Sequence, residues 1–146
     1  MITAEDNKFM KQLDELAQKS RCIRAQIGAM IVKDGKVLVE GCNDIPHDEY
    51  DCRILGCIRT KEKIPSGHER EVCRGLCAEQ YVISKAAERG IALNNTTMYT
   101  SVYPCRICSS LILNAGINRV VYRKKYPEVI EEDILEDGGI EVCQVK

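Results

Sequence analysis

Three cysteines and one glutamate constrain this chain more than any other feature. They lie in two short stretches, Cys77-Ala78-Glu79 and Pro104-Cys105-Arg106-Ile107-Cys108. For the three thiols to act together, two segments distant in sequence must end at one point. Both stretches read as helix starts. Ala78 to Arg89 places Val82, Ile83 and Ala86 on one apolar face, with Gly90 as its stop. Pro104 opens a second helix, Cys105 to Asn114, stopped by Gly116. The fold must therefore bring two helix N-termini to the same edge of a sheet. Each offers roughly +0.5 of an elementary charge, which favours thiolate over thiol.

Three thiolates leave the fourth tetrahedral position of a zinc ion open, and an open position marks a catalytic site more than a structural one. Glu79 sits too close to Cys77 to be an ideal fourth ligand, but it is well placed to move protons. The plainer reading is a structural zinc knuckle with a fourth protein ligand. Glu79, Pro104 and the two helix N-termini together weigh against it. Three thiolates on Zn²⁺ leave a net negative charge, which weakens the ion as a Lewis acid. The helix N-termini, with Arg74 or Arg106 donating to a sulfur, are expected to offset that charge.

The cysteines must also be weighed as a set. There are nine in 146 residues, a length that can bury an adequate core without disulfides. No charged-then-apolar leader opens the chain, and no apolar run approaches the ~20 residues that span a bilayer. A cytoplasmic location is expected, where thiols stay reduced and clustered cysteines read as metal ligands. With 21 basic and 22 acidic residues the net charge is −1. That balance argues against a nucleic-acid polymer as partner, while a small anion needs only one or two arginines.

Elsewhere the pattern is that of a layered α/β domain occupying residues 1–146. Thr3 and Asp6 form a capping-box pattern ahead of Phe9, Leu13, Leu16 and Ala17, predicting a helix that ends near Ser20. Ala29 to Val32 and Val37 to Glu40 flank Asp34-Gly35, a strong hairpin signal. Thr97 to Val102, Arg119 to Tyr122 and Ile140 to Val145 read as strands, with a short helix over Glu128 to Leu135. The alternation implies parallel strand pairs behind a two-stranded hairpin. Residues 43–76 lack periodicity and hold both histidines and three cysteines. A structural zinc on Cys52, Cys57 and Cys73, with His68 (or His47 or Asp51) as fourth ligand, would explain how so long an insert stays ordered. Cys22 and Cys143 read as small buried hydrophobes.

These residues resemble the cytidine and deoxycytidylate deaminase superfamily, and the likeness is greatest to its deoxycytidylate (dCMP) branch. Around Cys77-Ala78-Glu79 and Pro104-Cys105-x-x-Cys108, the stretches Arg21-Cys22-x-Arg24, Ile27 to Val32, Gly56 to Gly67, Cys73-Arg74-Gly75 and Asn114 to Ile117 are similar to that branch. The first ligand there is usually histidine, and Cys77 matches the cytidine deaminase branch instead. Tyr81 stands where asparagine is common, and Cys42-Asn43-Asp44 replaces Tyr-Asn-Gly.

The resemblance implies a three-layer α/β/α sandwich around a five-stranded mixed sheet, Zn²⁺ as cofactor and homo-oligomers. It implies conversion of dCMP to dUMP and ammonia with Glu79 as proton shuttle, and no nucleic-acid or membrane partner. Arg24, Asn43 and Tyr126 match positions used near the sugar and phosphate. The competing functions are a cytidine or deoxycytidine deaminase, favoured by Cys77, and a non-catalytic zinc-binding scaffold. A tRNA adenosine deaminase shares the ligand pattern, but the missing basic surface opposes it.

Overall fold

The computed structural model describes residues 1–125 and 133–146. Helix α1 (Ala4–Ala17) opens with the expected capping box: the Thr3 hydroxyl accepts from the Asp6 N–H at 3.1 Å, and the Asp6 carboxylate accepts from the Thr3 N–H at 2.8 Å. It ends before the expected Ser20, because the Lys19 and Ser20 N–H groups bond in tighter turns to the Leu16 and Ala17 carbonyls. Strands β1 (Gly28–Lys33) and β2 (Lys36–Cys42) form the hairpin. Its two central residues, Asp34 at φ 50° and Gly35 at φ 75°, take the left-handed conformations that a tight hairpin turn requires.

The insert is ordered by short pieces. These are helices α2 (Cys52–Leu55) and α3 (Ile58–Lys61), and 3-10 turns at Asp48–Tyr50 and Arg70–Val72. Its ends are pinned together by paired backbone bonds between Asp44 and Leu76, at 2.7 and 3.2 Å. Arg21 ties its first segment down through Asp44 and Asp48. Helix α4 (Ala78–Arg89) and strand β3 (Thr97–Val102) follow with the predicted bounds. Helix α5 (Arg106–Asn114), strand β4 (Arg119–Lys124), helix α6 (Ile134–Asp137) and strand β5 (Glu141–Gln144) complete the order.

The sheet runs β2-β1-β3-β4-β5, antiparallel across the first three strands and parallel across the last three. Strand alternation sorts the side chains into two cores. Met30, Val32, Tyr99 and Val121 meet Phe9, Met10 and Leu13 of α1 on one face. Ala29, Ile31, Met98 and Val120 meet Val82 and Ala86 of α4, Ile112 of α5 and Leu135 of α6 on the other. The result is the expected three-layer sandwich with a five-stranded mixed sheet. Strand β3 leads directly into the N-terminus of α5, and sheet-edge ligands collect at such carboxyl ends. None of the described helices is long and apolar enough to cross a membrane.

One buried ion pair holds α1 to the sheet. Asp6, 1% exposed, accepts both Arg119 Nη groups at 2.8 and 2.9 Å and the Tyr99 hydroxyl at 2.7 Å. Those Arg119 hydrogen bonds, ahead of the opposing effect of burial, hold its carboxyl well below the usual carboxylate range. A depressed acid contributes stability above its unfolded pKa of about 3.9 and loses it as pH falls toward the folded value. Asp6→Ala is expected to cost about 3–5 kcal/mol in a urea melt at neutral pH, because Arg119 and Tyr99 lose a shared partner. The difference from wild type should shrink below about pH 4. A pH-independent difference under 1 kcal/mol, on the order of a single exposed ion pair, would contradict this account.

Candidate metal centre

Cys77 is the N-cap of α4, Cys105 is the N-cap of α5, and Cys108 lies in the first turn of α5. The two helix N-termini converge as the spacing requires, and the three Sγ atoms all lie within 4.8 Å of one another. Cys105 and Cys108 are buried, and Cys77 is half-buried. Each ligand is fixed locally. The Cys77 N–H donates to the Gln80 side chain at 2.8 Å, while its thiol accepts from the Gln80 N–H. Pro104 precedes Cys105 without needing a backbone partner, and the Ser109 N–H closes the turn on the Cys105 carbonyl at 2.8 Å. All nine cysteines are free thiols. The donor set of three soft sulfurs fits a zinc ion with one open position.

Hydrogen bonds from Cys108 and Cys77 hold Cys105 far below the usual thiol range, and the Arg70 charge adds to the effect. Cys77 and Cys108 are pushed up, chiefly by their bonds to Cys105 and also by burial. Arg70, at the start of the 3-10 turn in the insert, donates from Nη2 to the Cys77 Sγ. This is a cation beside a ligand sulfur, as the charge argument demands, supplied by a residue other than the expected Arg74. Arg74 instead donates to the Gly56 carbonyl at 2.6 Å.

Glu79, in the first turn of α4, is 5% exposed, and burial raises its pKa. Its Oε1 lies 2.7 Å from the hydroxyl of Thr100, a fully buried residue of β3, and the same hydroxyl lies 3.1 Å from the Val102 carbonyl. With one proton and two neighbours, the hydroxyl donates to Glu79 when the carboxylate is ionised. It can donate to Val102 and accept from Glu79 when the carboxyl is protonated. Thr100 thus holds Glu79 in either state, a useful property beside a proton shuttle. Sequence reasoning missed Thr100 and Arg70. For Thr100 the available signal was a polar residue on the inward face of β3 that Met98 shares.

The remaining candidates fall apart into separate roles. Arg24 donates to the Ser66 hydroxyl at 3.4 Å, and its buried Nη1 has no hydrogen-bond partner among the described residues. Asn43, 9% exposed, accepts from the Ile27 N–H at 2.9 Å and donates to the Ala25 carbonyl at 2.8 Å. Its amide braces the segment that carries Arg24. Tyr126 lies outside the described residues, as does the first part of the helix expected over 128–135.

The side chains expected to form a second metal group are not drawn within reach of one ion. Among the described residues, Cys77, Cys105 and Cys108 are the only group of three or more metal-binding side chains within reach of one ion. Cys57 faces Thr60 and Arg24; Cys52 faces the Tyr50 carbonyl and Arg74, with Cys73 and Cys22 nearby; and Cys73 turns to the Gly75 N–H. Backbone bonds and arginines order the insert instead. Tyr81 packs its ring against β2, where a Cβ at Gly41 would lie 2.4 Å from a ring carbon. Glycine is therefore required there, and α4 is anchored close to the hairpin.

Residues 3–124 match the family described as the cytidine and deoxycytidylate deaminase zinc-binding region. The deoxycytidylate deaminase of Schizosaccharomyces pombe is 29% identical over 140 residues, covering 95% of this chain and 43% of the yeast protein. That of Mycobacterium phage D29 is 32% identical over 125 residues, covering 82% of this chain and 94% of the phage protein. The crystal structure of dCMP deaminase from cyanophage S-TIM5 in complex with dCMP and dUMP is similar at a TM-score of 0.77 and 27% identity. It covers 99% of this chain and 100% of that one. The chain spans less than half the length of the yeast relative.

Proposed function

As the chain belongs to the cytidine and deoxycytidylate deaminase family, we propose that it hydrolyses dCMP to dUMP and ammonia with zinc as cofactor. The carrying observation is Glu79, buried and hydrogen-bonded, beside three thiols gathered at two helix N-termini. A non-catalytic scaffold needs the thiols but has no use for a buried carboxylate held by a hydroxyl that tolerates both of its protonation states.

Cys77, Cys105 and Cys108 would hold the ion, which when bound supplies a Lewis acid that makes water nucleophilic near about pH 7. Glu79 takes a proton from the attacking water and delivers it to the ring nitrogen. It then takes the second water proton and delivers it to the exocyclic amine as the bond from C4 to nitrogen breaks. One water enters, C4 gains a carbonyl oxygen and ammonia leaves. Burial suits Glu79 to this, because a raised pKa brings its proton affinity closer to neutral pH.

For the substrate, the support is the likeness to the dCMP deaminases together with Arg24. A buried guanidinium N–H without an acceptor suits a phosphate oxygen, which a planar fork can bind with two parallel bonds. Asn43 supports this by fixing the Arg24 segment. The second reading, a cytidine or deoxycytidine deaminase, is favoured by a cysteine as the first ligand. Assembly into homo-oligomers belongs to the same proposal. Ile107, Leu111 and Leu113 of α5, 54%, 37% and 37% exposed, offer apolar surface for it. The test is ammonia release from dCMP, deoxycytidine, cytidine and dCTP side by side with metal-replete protein. The fastest turnover is expected on dCMP, and equal rates on dCMP and deoxycytidine would promote the second reading.

A further inference from the structure

We infer that Arg70, reaching in from the insert, is a positioning residue for the metal: it neutralises the excess charge of a three-thiolate site and fixes the sulfur of Cys77. This rests on the metal reading above and goes beyond it by giving the insert a function. Three thiolates and Zn²⁺ sum to one negative charge, and a guanidinium on one sulfur brings the sum to zero. A site that must make water nucleophilic gains from that balance, because surplus negative charge weakens the ion's pull on oxygen.

The geometry is particular to this residue. Among the insert's arginines, Arg53 pairs with Asp51, Arg59 donates to the Pro65 carbonyl, and Arg74 donates to the Gly56 carbonyl. Arg70 Nη2, by contrast, reaches out of the insert to the sulfur of Cys77. Glu69, immediately before Arg70, sits in the left-handed region at φ 45°, and Gly67 precedes it at φ 84°. Non-glycine residues held in this region cluster at active sites and ligand clamps. The ligand bears this contact on one side and the Gln80 N–H on the other, so the sulfur is held from two directions. Groups that orient a metal ligand in this way matter for affinity as well as for rate.

The test reads metal binding rather than turnover. Zinc affinity is measured by competition with a chromophoric chelator for wild type, R70A, R70Q and R70K, with folding followed by circular dichroism. R70A is expected to bind zinc roughly 10–100-fold more weakly, and R70K to recover most of the loss. In cobalt-substituted protein the sulfur-to-metal charge-transfer band should shift in R70A, because a hydrogen bond withdraws electron density from the thiolate. A merely structural Arg70 would not move that band in a folded variant. If R70A does not fold, R70Q is read in its place, and an affinity within twofold of wild type together with an unmoved band overturns the assignment. Wild-type protein that takes up no zinc would overturn the metal reading as well. Wild-type binding with indifferent arginine variants overturns the role of Arg70 alone.

Discussion

Glu79→Gln is expected to keep the fold and the metal while losing at least roughly two orders of magnitude in kcat on dCMP. Glutamine has the shape of glutamate and can still accept from the Thr100 hydroxyl, 2.7 Å from Oε1 in the wild type. It cannot take a proton from water or hand one to an amine. Stability should hold or rise, because the substitution removes an ionisable group from a buried site where charge is disfavoured. Three readouts separate the explanations: turnover, zinc content and a thermal melt. Lost turnover with zinc and melting unchanged supports the shuttle. Near-normal turnover in a folded, zinc-loaded variant would remove Glu79 from the chemistry.

Arg24→Ala is expected to abolish the preference for a phosphorylated substrate. A fully buried group built to bond one substrate atom rejects analogues lacking it by about 10⁴–10⁵-fold. Arg24 is only half-buried, and water can partly satisfy it, so roughly 10²–10⁴-fold is the discrimination expected in kcat/KM for dCMP over deoxycytidine. In Arg24→Ala the two substrates should approach each other, dCMP losing most of its advantage and deoxycytidine changing little. Both substrates falling equally would show that Arg24 supports the fold of the insert, through Ser66 and Cys57, rather than reading a phosphate.

Much of the frame was legible because local chemistry and global packing agree there. The Thr3–Asp6 box, the Asp34-Gly35 turn, the span of α4 to its left-handed Gly90 and the bounds of β3 all rest on near neighbours. The convergence of Cys77, Cys105 and Cys108 was legible for another reason: two helix starts and a single ion leave few arrangements. The insert was not legible in this way. Its cysteines invited a metal, yet its order comes from distant partners, Arg21 on Asp44 and Asp48, and Arg74 on the Gly56 carbonyl. No spacing rule aims a side chain from an irregular segment. Arg70 therefore could not be told from Arg74 until the backbone at Glu69 was seen. Asn43 was placed in the right neighbourhood with a different duty, since its amide bonds are made within the chain.

The most direct test of the central claim is the product formed from dCMP by purified, zinc-loaded protein in water enriched with heavy oxygen. The account predicts dUMP carrying the heavy oxygen at C4, with one ammonia released for each dUMP and formation slowed at least roughly 100-fold in Glu79→Gln. Unchanged dCMP in the presence of folded, zinc-loaded protein would contradict it.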